Sequence, residues 1–190
     1  MFRMEGEMLL RSIVLGLLVA CLATAASAAD KRFKMEGGDT LVINAGADWV
    51  VGDVVPDSLF GTLTVHGTDK TLWRLTVSPL PPHPTLTGDT GNLRIYVRTM
   101  SRGLENGGVQ VDGEQKALDG ATARGFYFKA RDTRAKTKAQ IKQTGGDYTD
   151  TYLGALSISS RAYLFEVVWN KGGEGAANAA LAALKTVRIH

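Results

Sequence analysis

Residues 163–169 read Tyr163-Leu164-Phe165-Glu166-Val167-Val168-Trp169, apolar on both faces apart from one carboxylate, Glu166. A strand that is apolar whichever way its side chains point needs cover on both sides, so this segment predicts the central strand of a buried sheet. Residues 148–158 precede it and are joined to it through Ser159-Ser160-Arg161, a connection short enough for a hairpin. Further out, residues 125–131 alternate Phe126, Phe128 and Ala130 against Tyr127, Lys129 and Arg131, the period of two of a half-buried strand. Downstream, Asn170-Lys171-Gly172-Gly173 breaks the strand pattern. Residues 174–185 then predict an alanine-rich helix with Ala177, Ala180, Leu181 and Leu184 inward. Glu174 at its start, and Lys185 and Arg188 at its end, complement the helix dipole.

The first half of the chain gives shorter elements. Phe33 and Met35 share a face of one strand, and Leu41 and Ile43 share a face of the next, at 40–44. Ala45-Gly46-Ala47-Asp48 turns the chain toward Trp49. Strands at 62–66, with Leu63 and Val65 inward, and at 72–77, with Trp73, Leu75 and Val77 alternating against Leu72, Arg74 and Thr76, flank the loop Gly67-Thr68-Asp69-Lys70. They are expected to be antiparallel neighbours. Pro79-Leu80-Pro81-Pro82-His83-Pro84 stops the sheet, because proline has no N–H for a ladder, and reads as a stiff crossover to a helix. Leu93, Tyr96, Val97, Met100 and Leu104 follow at helical spacing, and Arg94, Arg98 and Arg102 recur every four residues as an exposed stripe beside them. Asp89 or Thr90 caps the start, and Gly103 or Asn106-Gly107-Gly108 ends the helix. Short strands are expected at 109–111 and 115–118.

Residues 1–28 form a separate unit. Arg3 and Arg11, an apolar block at 12–22 and the small-residue step Ala26-Ser27-Ala28 compose a secretory signal peptide with cleavage before Ala29. Met8 makes the tidier start, because Glu5 and Glu7 sit oddly in such a leader. Leu18-Val19-Ala20-Cys21 resembles a lipobox, and lipid anchoring through Cys21 is the alternative. Apolar and small residues continue for seven positions beyond Cys21, which favours cleavage before Ala29 and a periplasmic or secreted protein. No stretch reaches the roughly 20 apolar residues of a transmembrane span. The mature part, about 160 residues at 29–190, is the size of one domain. Its net charge of +3 is too small to argue for nucleic acid. Cys21 is the one cysteine, so the mature domain has neither disulfides nor thiolate metal ligands.

The run Asp39-Thr40-Leu41-Val42-Ile43-Asn44-Ala45-Gly46-Ala47-Asp48-Trp49 resembles the opening strand, turn and tryptophan of PsbP/Mog1-like domains. Gly125-Phe126-Tyr127-Phe128-Lys129-Ala130-Arg131-Asp132, the late strands ending at Trp169 and a closing helix at 179–187 are similar to the later half of uncharacterised exported bacterial proteins of that architecture. The resemblance implies an α+β fold, a single domain in which an antiparallel sheet is flanked by helices as an α/β/α sandwich. It implies no catalytic or ligand residue, because the fold serves unrelated roles.

Catalytic signatures are missing: there is no G-x-S-x-G elbow, P-loop, H-E-x-x-H or dinucleotide fingerprint. His66, His83 and His190 lie far apart, without metal-ligand spacing. A hydrolase or small-molecule binder with a pocket between sheet and helix stays as the alternative, and it gains if His66 or His83 lies beside a serine and a carboxylate. Asp132, Asp147 and Asp150 fit no cation-wrapping loop. Tyr148, Tyr152, Tyr163 and Trp169 either line a groove or pave one side of the sheet against a helix. The segment 129–142 is the most basic part of the chain, and Lys129, Arg131, Arg134, Lys136, Lys138 and Lys142 are the candidate contacts for an anionic surface or an acidic envelope partner. No aromatics interleave them, which argues against a nucleic-acid platform. The expected function is an exported, non-enzymatic binding or accessory protein without a cofactor. The leader predicts a mature N-terminus at Ala29. N-terminal sequencing of the exported protein checks this, and a lipidated Cys21 at the terminus overturns it.

Overall fold

The computed structural model describes residues 28–35, 40–52, 62–81, 89–139, 141 and 146–190. The leader up to residue 27 with Cys21, His83 with the prolines around it, and Lys142 lie outside them. The two long late strands form as expected. β9 (Asp150–Ile158) and β10 (Arg161–Trp169) pair antiparallel along their whole length, Arg161 opposite Ile158 and Trp169 opposite Asp150. Ser159 and Ser160 connect them, both at positive φ (47° and 65°), the two central residues of a primed turn whose twist matches that of the strands.

β10 is central. On its other side lies β5 (Trp73–Pro79), followed by β4 (Leu63–His66) and β3 (Val50–Gly52). Beyond β9 come β8 (Ala123–Arg131) and β6 (Gln110–Val111), while β7 (Lys116–Asp119) also pairs with β8. The result is an eight-stranded sheet in which each recorded pairing is antiparallel. Gly125 and Gly154 let the neighbouring strand come close: a β-carbon would lie 2.0 Å from the Ala155 carbonyl oxygen at Gly125 and 2.3 Å from that of Phe126 at Gly154.

Each face has its own cover. α1 (Thr90–Asn106) lies on one face, where Leu93 and Val97 pack on Phe128, Ala130 and Ala155. Its start is capped as its sequence indicates, Gly91 N–H donating to Asp89 Oδ1 at 2.8 Å. The helix runs through Gly103 and stops at Gly107, whose N–H bonds the Gly103 carbonyl.

The opposite face is covered by α2 (Glu174–Leu184) together with a second sheet that periodicity had not separated from the first. β1 (Ala29–Lys34) and β11 (Arg188–Ile189) pair on either side of β2 (Thr40–Ala45). Leu41, Ile43 and Ala45 thus join Ala177, Ala180, Leu184 and Val187 over Leu75, Phe165 and Val167. Leu181 packs against this core while half-buried, and Ala183 is buried with it. One expectation is corrected: the chain leaves the helix after Leu184, so that Arg188 serves a strand and not the helix end. Tyr152, Tyr163 and Trp169 pave this covered face, with the Tyr152 and Trp169 rings 4.5 Å apart.

A Gly154→Ala substitution is expected to destabilise the fold by about 3 kcal/mol, because the added methyl meets backbone that cannot retreat. Replacing Ser159-Ser160 by Asn-Gly is expected to stabilise it by about 1 kcal/mol, since both positions then accept positive φ. Urea unfolding of the two variants checks both signs.

Candidate functional site

The basic segment begins inside the sheet. Lys129 and Arg131 belong to the last turn of pleat in β8, and their side chains reach across the strand ends to carboxylates. Lys129 Nζ lies 3.1 Å from Glu174 Oε1 at the start of α2, and 5.6 Å from the centre of the Trp169 ring. The Glu174 hydrogen bond is the main influence raising the Lys129 pKa. Arg131 lies 2.7 Å from Asp150 on the neighbouring strand, and that partner likewise raises its pKa.

The loop that follows is also paired. Arg134 Nε and Nη2 both bond the Asp132 carboxylate, at 2.8 Å each, while Nη1 donates to the Gly107 carbonyl at the end of α1. Arg134 is therefore a tie between the loop and the negative end of a helix dipole. Lys136 Nζ donates to the Tyr148 carbonyl and lies 3.7 Å from Asp147. Of the six cations singled out from sequence, four are matched to acids, Lys138 is exposed without a partner among the described residues, and Lys142 lies outside them. The same pairs account for Asp132, Asp147 and Asp150, each with a cation against it. Among the described residues no group of three or more His, Cys, Asp or Glu side chains is arranged to hold a metal ion.

Unpaired positive charge lies elsewhere. Arg94, Arg98 and Arg102 fall at i, i+4 and i+8 on the outer side of α1, and no carboxylate among the described residues makes an ion pair with any of them. With the 112–115 loop they enclose a cleft of about 470 Å³, whose other wall carries Asp112 and Glu114 and whose helical end carries Glu105. Gln115 Nε2 ties the loop to the helix through the Arg94 carbonyl at 2.8 Å. Ile95 stands beside the stripe and is 64% exposed, the most exposed large apolar side chain among the described residues. The repeat of arginines was visible in the sequence. What the sequence concealed was that these three make no ion pair among the described residues, whereas Lys129, Arg131, Arg134 and Lys136 do.

A second polar cluster is half-buried. Arg74 on β5 faces Glu166 on β10, with Nη2 3.9 Å from the carboxylate, and the Tyr148 ring lies 5.4 Å from the guanidinium carbon. Burial pushes the Glu166 carboxyl up, and Arg74 and Lys136 counter this only in part. His66, on β4, bonds its own strand end through Nδ1 and the Gly67 carbonyl at 2.6 Å, and no serine or carboxylate bonds its ring among the described residues.

No family model and no curated protein matches the chain. The chain is similar to the solution structure of cyanobacterial PsbP (CyanoP) from Synechocystis sp. PCC 6803, with 12% sequence identity over 89% of this chain and 95% of that chain and a TM-score of 0.46. The α+β class is carried by the sheets and helices described above.

The Asp132–Arg134 contact gives a pH prediction. The guanidinium hydrogen bond lowers the Asp132 pKa from 3.8 to about 2. A carboxyl lowered on folding adds stability above its unfolded pKa, and that contribution is lost as pH falls through its folded value, here between about 4 and 2. An NMR titration is expected to place the Asp132 midpoint near the bottom of that window, and Arg134→Ala to move it back toward the ordinary carboxylate range. An unmoved midpoint contradicts the pairing.

Proposed function

We propose that the chain is an exported, non-catalytic binding module whose partner is an acidic protein segment held by Arg94, Arg98 and Arg102. One observation carries this reading: the three arginines are exposed and free of ion pairs among the described residues, whereas the cations of 129–136 are occupied within the fold. Export rests on the leader at 1–28, and Ala29, the residue that follows the cleavage step, is the first residue of β1. No helix among the described residues is long and apolar enough to cross a membrane.

The shape of the site favours a protein segment over a membrane surface. An anionic bilayer presents a plane, and Glu105, Asp112 and Glu114 at the cleft would be repelled by it. A protein segment enters a cleft, and walls of mixed sign then select among segments, since like charges placed opposite each other cost several kcal/mol. Exposed ion pairs contribute only about 0.2–1 kcal/mol each, so the charges steer and orient while Ile95 adds apolar contact. Weak, salt-sensitive association is the expected result. Lys138 is the remaining free cation of the sequence-derived set, and it serves as a control.

Titration of the protein with a glutamate-rich peptide tests this. Arg98→Glu with Arg102→Glu is expected to abolish binding, Lys138→Glu to preserve it, and the wild-type affinity to fall steeply between low and physiological salt. Binding that survives the double reversal, or is lost with Lys138→Glu, overturns the assignment.

A further inference from the structure

The cleft beside α1 has two walls of opposite sign. Arg94, Arg98 and Arg102 are exposed on the helix side, and Asp112 and Glu114 are exposed on the loop opposite. Gly113 adds no side chain between the two acids, and Val111 and Phe128 also line the cleft. Two contacts hold this arrangement. Gln115 Nε2 bonds the Arg94 carbonyl at 2.8 Å, which fixes the loop against the helix. The Arg94 guanidinium carbon lies over the Phe126 ring, 5.8 Å from its centre, and a guanidinium seated on an aromatic face keeps its in-plane N–H donors for an oxyanion. Among the described residues no ion pair joins the three arginines to Asp112 or Glu114. Opposite charges that face one cleft without meeting leave room for a segment that meets both.

Spacing decides what kind of segment fits. A helical rise of 1.5 Å per residue sets successive arginines of the stripe about 6 Å apart along the axis, and the outer two about 12 Å apart. In an extended segment, alternate side chains project to one side about 6.6 Å apart, so the first, third and fifth residues span about 13 Å. The two repeats differ by only about 1 Å over this length, well within the reach of arginine side chains. A partner helix with an acid at every fourth residue matches the spacing too, but it does not fit the space. A cylinder 10 Å wide and 12 Å long fills roughly 900 Å³, against about 470 Å³ in the cleft. The extended form is therefore favoured. Its second and fourth residues then point away from α1, toward the wall that carries Asp112 and Glu114. A carboxylate at those positions meets like charge, and a lysine or arginine meets opposite charge.

We propose that the cleft holds an extended partner segment of alternating charge, acidic at its first, third and fifth residues against Arg94, Arg98 and Arg102, and basic at its second and fourth against Asp112 and Glu114. This rests on the reading of the arginine stripe as the site of an acidic protein segment, and narrows that partner to a strand whose two faces differ in sign. Selection then follows from the order of the charges and not from their sum.

Titration of the full mature chain with three dye-labelled peptides, read by fluorescence anisotropy at low salt, tests this. Their central residues are Glu-Lys-Glu-Lys-Glu, Glu-Glu-Glu-Lys-Lys and Glu-Glu-Glu-Glu-Glu, each flanked by Gly-Ser. The alternating peptide is expected to bind about tenfold more tightly than its isomer of equal composition. Asp112→Lys with Glu114→Lys is expected to reverse the selection: the all-glutamate peptide binds this variant more tightly than it binds the parent chain, and the alternating peptide binds it less tightly. Both substituted residues are exposed, and a gain of affinity cannot come from misfolding. Equal binding of the two isomers by the parent chain overturns the alternating assignment and leaves the acidic-segment reading standing, as does a loop variant that keeps the parent's selection. Absence of binding by all three peptides overturns both.

Discussion

The structure depends on burying the face of β10 that carries Phe165 and Val167. Both point into the layer formed by α2 and β2, while Leu164 and Glu166 on the other face are only half-buried. Each fully buried side chain of this size contributes about 1.5–3 kcal/mol, and no intrachain disulfide supplements them in a chain whose one cysteine is Cys21. The layer on this side is assembled from opposite ends of the sequence: β1 and β2 from the start, α2 and β11 from the end. Removing either part would uncover the same face of the central strand, so the N- and C-terminal segments stabilise one core.

Charge plays a structural part at the ends of the strands. Lys129 with Glu174, Arg131 with Asp150 and Arg134 with Asp132 join β8, β9, α2 and the following loop, and Arg134 also reaches the end of α1. Most of these pairs are half-exposed, so each adds little to stability. Their effect is to fix how the loop leaves the sheet. The consequence for function is that local positive composition is a poor guide to available positive charge. The 129–136 cations are consumed, while the three arginines of α1, more widely spaced in sequence, make no ion pair among the described residues.

Two polar features stand out in the fold, and only one of them departs from its local pattern. The arginine stripe interrupts nothing, since a solvent-facing helix surface tolerates any charge, and only the cleft beside it singles it out. Glu166 is different. It is the single charged residue of the apolar run 163–169, and such an inconsistency between residue and environment tends to mark a site with a task. Arg74 was recognisable as one of the alternate residues of its strand, but nothing in its spacing connects it to a residue 92 positions further on, and the threonines around it look like ordinary strand formers.

The amino-acid sequence by itself determined most of the elements and the two hairpin pairings, β4 with β5 and β9 with β10. Alternation set the strands, the 3.6-residue period set α1, Asp89 set its cap, and the short link through Ser159 and Ser160 left no geometry but a hairpin, because these are local effects of backbone sterics and neighbouring side chains. The separate three-stranded sheet, the ion-pair partners and the two-walled cleft beside α1 were decided by tertiary structure. Each depends on which distant segments come within a few ångströms of one another, and burial, charge pairing and desolvation act through that proximity.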